Sequence, residues 1–100
     1  MEDILILAID IGNTNIVVGC IRGDEVLFTE RLSTNTTHTT LEYAISFKNV
    51  LEIYQIDAKE IEGAIISSVV PPITNVIRDS IHKITDAEVL IAGPENSFIS

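Results

Sequence analysis

Ile4-Leu5-Ile6-Leu7-Ala8-Ile9-Asp10-Ile11-Gly12-Asn13-Thr14-Asn15 is an apolar run that ends in one acid and a permissive turn. The run shows no polar alternation before Asp10, the pattern of a central strand covered on both faces. An unpaired carboxylate in such a strand would be costly to desolvate, so Asp10 is expected to face water, a cation, or both. Gly12 and Asn13 tolerate positive φ, which allows a sharp turn that points successive backbone N–H groups into one small space, a geometry suited to phosphate. Thr14 and Asn15 add side-chain donors where the turn passes into a second apolar run, Ile16 to Val18, ending at Gly19. The same residue types also make an ordinary β-hairpin turn, because Gly, Asn and Asp dominate turns for steric reasons.

Working outward, Asn15 to Ile21 is the expected hairpin partner of the first strand, and a second turn at Arg22-Gly23-Asp24-Glu25 leads to a third strand, Val26 to Leu32. Ser33 to Thr40 is Thr-rich and loop-like. It ends in Thr39-Thr40-Leu41-Glu42, a capping box in which Thr39 and Glu42 satisfy helix N-terminal donors. Leu41, Ala44, Phe47, Leu51 and Tyr54, widened by Ile45, recur at helical spacing and predict the buried face of a first helix, with Glu42, Lys48 and Glu52 in water. Asp57 to Glu62 is a polar connection to a buried strand, Ala64 to Val70. Pro71-Pro72 opens a second helix with Ile73, Val76, Ile77, Ile81 and Ile84 facing inward. Val89 to Ala92 is a last short strand, and Gly93-Pro94 breaks it before a polar tail that runs to Ser100.

The order β-β-β-α-β-α-β is that of a ribonuclease H-like α/β domain, the half-unit built twice in actin-like ATPases. An antiparallel meander followed by right-handed crossovers predicts one mixed five-stranded sheet in the order 3-2-1-4-5. Asp10-x-Gly12-Asn13-Thr14 followed by a glycine resembles the first phosphate motif of the actin-like, hexokinase-like and Hsp70-like ATPases. Sugar kinases of that superfamily usually carry a second glycine where this chain has Asn13. Together with Ile65-Ile66-Ser67-Ser68-Val69-Val70-Pro71, the chain resembles the N-terminal part of a type III pantothenate kinase, a family once labelled Bvg accessory factor. The resemblance runs roughly from Ile4 to Gly93, and two motifs at this separation are far more specific than a lone strand-turn motif.

That resemblance implies Mg·ATP-dependent phosphorylation of pantothenate to 4′-phosphopantothenate, the entry step to coenzyme A. It places Asp10 near the Mg²⁺ and assigns the ATP phosphates to the segment Asp10, Ile11, Gly12, Asn13, Thr14, Asn15, Ile16 and Val17. Ser67 and Ser68 stand near the site, although small polar residues before Pro71-Pro72 also suit a purely structural role at a helix start. The family's catalytic acid lies in a Gly-x-Asp-Arg motif, and a further Asp binds a monovalent cation such as K⁺ or NH₄⁺. Neither is found in these residues, so no catalytic residue is assigned in this chain, and the catalytic Asp is expected downstream of Ser100. Only one phosphate turn occurs. Residues 1–93 are therefore read as an N-terminal ATPase domain and residues 94–100 as the start of a connection to a second domain. The resemblance also implies a homodimer.

Composition limits the alternatives. A chain of 100 residues with 46% hydrophobic residues has enough apolar material for a core. Fifteen acids against six Lys and Arg give a formal charge of −9 without a basic cluster, which opposes binding to nucleic acid or an anionic membrane. ATP is also anionic, so Mg²⁺ and a local cradle of N–H groups must offset that field. Cys20 is the single cysteine, a usage that fits a reducing cytosol, and it reads as a small buried hydrophobe. Met1-Glu2-Asp3 is acidic and the apolar run before Asp10 is short, so neither a signal peptide nor a membrane span is expected at this end. Asn35-Thr36-Thr37 matches a glycosylation sequon but reads as a polar loop in a cytosolic chain. His38, in the Thr-rich loop, and His82, beside Lys83, lack metal-ligand spacing and read as solvated or capping residues, and Glu95 lacks the motif of a catalytic acid. Two further function classes stay open: another phosphotransferase of the superfamily, and a non-enzymatic regulatory domain of the transcriptional-activator kind.

Overall fold

A computed structural model describes residues 3–92. The Gly93-Pro94 break, Glu95 and the rest of the polar tail to Ser100 lie outside the described residues. So does the catalytic Asp expected downstream of Ser100, and with it the connection assigned to residues 94–100. Five strands form one sheet, β1 (Leu5–Ile11), β2 (Asn15–Arg22), β3 (Glu25–Ser33), β4 (Gly63–Ser68) and β5 (Glu88–Ala92), in the order β3-β2-β1-β4-β5. The β1, β2 and β3 meander is antiparallel, whereas β4 runs parallel to β1 and β5 parallel to β4. Each parallel step needs a crossover, and the helices α1 (Thr40–Ile53) and α2 (Pro71–Ile84) provide them. A 3₁₀ turn at Ala58–Glu60, capped by the Asp57 carboxylate, lies in the connection from α1 to β4. The predicted order of elements and strands is the observed one.

Alternation in the strands sends Leu5, Leu7, Ile9 and Ile11 of β1, Ile16, Val18 and Cys20 of β2, and Ala64 and Ile66 of β4 into one core with both helices. Each fully buried Leu or Ile contributes about 1.5–3 kcal/mol relative to exposure. The opposite face of the sheet is open. Ile6 and Ala8 are half-buried there, and Ile4 and Leu90 are exposed. The expectation that β1 is covered on both faces is thus corrected: its residues are apolar on both sides, but the described residues cover only one.

α1 starts as its capping box predicts. The Thr39 hydroxyl accepts from the Glu42 N–H at 3.2 Å, and the Thr39 N–H donates to Glu42 Oε1 at 2.8 Å. Its buried face, however, is rotated from the expected one and carries Tyr43, Ala44, Phe47, Val50 and Leu51, while Leu41 and Ile45 are more than half exposed. Tyr43 takes the inward position because its hydroxyl finds backbone partners at Asn35, which removes the cost of burying it. Tyr54, at the helix end, stacks on Phe28 of β3 with ring centroids 4.4 Å apart, and its hydroxyl donates to Glu30. Gln55 then turns the chain at φ 61°, a left-handed position more often given to Gly or Asn. α2 buries Ile73, Ile77 and Ile81 as expected, with Ser80 also inside because its hydroxyl donates to the Ile77 carbonyl.

The capping box makes a pH prediction. Donation from the Thr39 N–H holds the Glu42 carboxyl below its ordinary pKa, with lesser help from the Thr39 hydroxyl and His38. A carboxyl with a depressed folded pKa stabilises the fold above its unfolded pKa, and that contribution is lost as pH falls through the folded value. Glu42→Gln keeps an oxygen for the Thr39 N–H but cannot titrate. Urea unfolding of this variant is therefore expected to lose less stability on acidification than the parent does, and equal losses would show that the cap does not titrate.

Candidate functional site

Because β3, β4 and β5 all run parallel to β1, their C-terminal ends meet at one edge of the sheet, the edge where open α/β sheets bind ligands. Three connections gather there: the β1–β2 turn Gly12 to Thr14, the Thr-rich segment that leads from Ser33 to the start of α1, and the short link from Ser68 into α2. Val69 is tied to this edge by its N–H, which donates to the Ile11 carbonyl at 3.1 Å.

Asp10 sits one residue before the end of β1 with its side chain on the open face, exposed to solvent. In register it lies between Val17 of β2 and Ser67 of β4, and Arg31 of β3 follows beyond Val17 in the same lateral row. No cation among the described residues pairs with Asp10; the one ion pair described joins Arg78 to Asp79 on α2. Ala8, Val17, Gly19 and Ile65 continue from Asp10 and Ser67 as the floor of a shallow apolar depression of about 330 Å³.

The turn is closed by the Gly12 N–H, which donates to the Asn15 carbonyl at 2.9 Å. Neither Gly12 nor Asn13 has φ in the left-handed region, contrary to the expected use of these residues. Glycine is favoured for a different reason: a Cβ at Gly12 would stand 3.1 Å from the Asn15 carbonyl oxygen, inside ordinary contact, so the turn would have to give by a few tenths of an ångström. Asn13 and Thr14 are exposed, and their backbone N–H groups have no protein partner among the described residues. Unpaired N–H groups beside an exposed carboxylate have the chemistry to meet an anion that carries its own cation.

The remaining predicted site residues divide. Asn15 and Val17 are half-buried, and Val17 reaches the open face, whereas Ile11 and Ile16 are fully buried, so only their backbones are available to a ligand. Ser67 is exposed next to Asp10. Ser68 points inward, where its oxygen accepts from the Val70 N–H and from the Thr74 hydroxyl, a structural role at the start of α2. Sequence reasoning misses Thr34, whose hydroxyl donates to the Gly12 carbonyl at 2.7 Å and whose N–H donates to the Thr14 carbonyl at 2.9 Å.

The other singled-out residues lie elsewhere or play other parts. Cys20 is fully buried, and burial pushes its thiol pKa up. His38 is half-buried with its ring edge-on to Tyr43, while His82 is exposed in the last turn of α2. Among the described residues no group of three or more His, Cys, Asp or Glu side chains is placed to hold a metal ion, and no helix is long and apolar enough to cross a membrane.

Comparison with known proteins adds the family. The model of the type III pantothenate kinase family matches residues 6–99, a span that takes in the turn, Ser67-Ser68 and β5. The chain belongs to the type III pantothenate kinase family. A relative from Finegoldia magna, itself named type III pantothenate kinase, is 44% identical over 91 residues, covering 91% of this chain and 34% of that protein. The chain thus spans about a third of the length of the curated relatives it matches. Among solved structures, a ROK hexokinase from Thermus thermophilus superposes with a TM-score of 0.65 at 13% identity, over 93% of this chain and 36% of that one. Thermus thermophilus RuvC, in complex with a Holliday junction substrate, gives 0.60 at 14% identity, over 91% of this chain and 65% of its own. At such identities these two likenesses concern the fold alone. They place the type III pantothenate kinase chain among ribonuclease H-like and actin-like ATPase folds.

Proposed function

We propose that this chain is the part of a pantothenate kinase that holds the phosphates of Mg·ATP, and that the full-length protein phosphorylates pantothenate to 4′-phosphopantothenate at the entry to coenzyme A synthesis. One observation carries the reading: the exposed Asp10 carboxylate stands beside a turn whose Asn13 and Thr14 N–H groups have no protein partner among the described residues, in a chain of this family. Mg²⁺ is commonly held by one or two protein carboxylates plus phosphate oxygens and waters, so a lone Asp10 fits a metal that arrives with the nucleotide and does not fit a protein-only cage.

In this reading Asp10 orients the metal or its water shell, the Asn13 and Thr14 N–H groups hydrogen-bond phosphate oxygens, and Asn15, Val17 and Ser67 border them. The metal when bound neutralises charge on the transferring phosphoryl group. Ile11, Gly12 and Ile16 shape the turn. The acid that orients the attacking hydroxyl is supplied from beyond Ser100, as is the monovalent cation site for K⁺ or NH₄⁺ that the family resemblance implies. The full-length protein acts as a cytoplasmic homodimer and needs no nucleic acid.

A coupled assay of the full-length protein tests the proposal. Turnover with pantothenate is expected to exceed that with a panel of sugars and other acids by about 100-fold or more, since a site that hydrogen-bonds its own acceptor discriminates strongly against others. A sugar turned over faster than pantothenate would make it another phosphotransferase of the superfamily. No turnover with any acceptor, together with saturable and salt-dependent binding to duplex DNA, would favour the regulatory reading, which the formal charge of −9 opposes.

A further inference from the structure

We infer that Thr34 is a positioning residue for the phosphate turn, and that Tyr43 of α1 is the strut that holds Thr34 in place; the inference rests on the nucleotide reading of that turn. Thr34 lies 22 residues from Gly12 in sequence, yet its hydroxyl donates to the Gly12 carbonyl at 2.7 Å and its N–H to the Thr14 carbonyl at 2.9 Å. Both contacts are on the carbonyl side of the turn. In a trans peptide the carbonyl and the following N–H point in opposite directions, so fixing the Gly12 oxygen toward Thr34 turns the Asn13 N–H away from it. Thr34 therefore sets the direction of one of the two unpaired N–H groups without touching what they bind.

Thr34 is itself held from behind. The Tyr43 hydroxyl donates to the Asn35 carbonyl at 2.7 Å and accepts from the Asn35 N–H at 2.9 Å, so both backbone groups of the next residue are fixed by one side chain. Tyr43 is only 1% exposed, packed against Phe47 and within the core shared by the helices and sheet. Asn35 in turn accepts from the N–H and hydroxyl of Thr37 through its own side chain, which folds the rest of the loop back on itself. The Tyr43–Asn35 and Thr34–Gly12 hydrogen bonds, joined by the peptide bond between Thr34 and Asn35, thus connect the core to the turn. Without them the turn keeps its closing bond from Gly12 to Asn15 but loses the constraint on the peptide plane between Gly12 and Asn13. A pre-set N–H binds a phosphate oxygen without an ordering cost, and that advantage is present whenever nucleotide is bound.

Steady-state kinetics of the full-length enzyme test this through a set of variants. Thr34→Val removes the hydroxyl at nearly constant volume, and is expected to raise the KM for Mg·ATP about tenfold while kcat stays within about threefold, the signature of lost uniform binding. Thr34→Ser, which restores a donor, is expected to recover most of the affinity. Tyr43→Phe, which keeps the ring, should raise the same KM about threefold. Gly12→Ala, placed in the turn itself, is the reference. A raised KM for Gly12→Ala with no change for Thr34→Val overturns the positioning role and leaves the phosphate turn intact. An unchanged KM for both removes the turn from nucleotide binding altogether. A Thr34→Val enzyme that loses folded fraction and kcat at constant KM, or that Thr34→Ser fails to rescue, overturns the inference in favour of a purely structural threonine.

Discussion

Asp10→Asn, introduced into the full-length protein, is expected to lower kcat by about 100-fold or more at saturating Mg·ATP, because removal of one preorganised electrostatic partner of a transferring group typically costs two to three powers of ten in rate. The substitution keeps the size and shape of the side chain and deletes the charge that, in the proposed function, faces the metal. Asp10 is exposed and has no ion-pair partner among the described residues, so the fold loses little, within about 0.5 kcal/mol by the usual range for surface changes. Thermal unfolding run beside the kinetics separates the two effects. Turnover within about twofold of the parent would remove Asp10 from the site, because even a tenfold loss corresponds to only about 1.4 kcal/mol of transition-state stabilisation.

An equally large effect is expected from expressing residues 1–100 by themselves. The phosphate turn and Asp10 border an open sheet edge, and the depression beside them is a shallow surface floored by Ala8, Val17, Gly19 and Ile65. No second wall is present among the described residues, and the turn supplies no general base. Pantothenate phosphorylation by this piece should be undetectable, and its affinity for Mg·ATP should fall at least about tenfold below that of the full-length enzyme, since closure around the nucleotide is lost. The uncovered apolar face should also drive self-association at high concentration, visible by sedimentation. Robust turnover from the piece alone would overturn this division of labour and require a catalytic acid before Ser100.

The fold is readable where its signals are local. A six-residue apolar run stopped by Asp10, the Gly23 turn at φ 59°, the Thr39 and Glu42 box and the Pro71-Pro72 start each depend on neighbours a few positions away. Where physics acts across the chain, the reading fails or falls short. Helical spacing phases α1 on Leu41 and Ile45 and leaves Tyr43 out of the buried stripe, and only the fold brings the Asn35 backbone round to satisfy its hydroxyl. Residue type credits Gly12 with backbone freedom, but the preference for glycine comes from a carbonyl brought close by the closure of the turn. The two-faced cover expected for β1 fails because an apolar run records what a strand tolerates and not which elements reach it. The brace from Thr34 to Gly12 has no sequence signal, because neither hydroxyl nor glycine announces a partner so far along the chain.

The thiol of Cys20, fully buried on β2 in the core shared by the sheet and both helices, makes that core report on its own opening. Only the thiolate reacts with an alkylating reagent, and burial both blocks access and suppresses that form. Labelling in this chain must therefore wait for the core between the sheet and the helices to open. Its rate measures how often that core opens, an event that turnover kinetics do not register. A nucleotide that grips the β1–β2 turn should slow that clock in proportion to its occupancy.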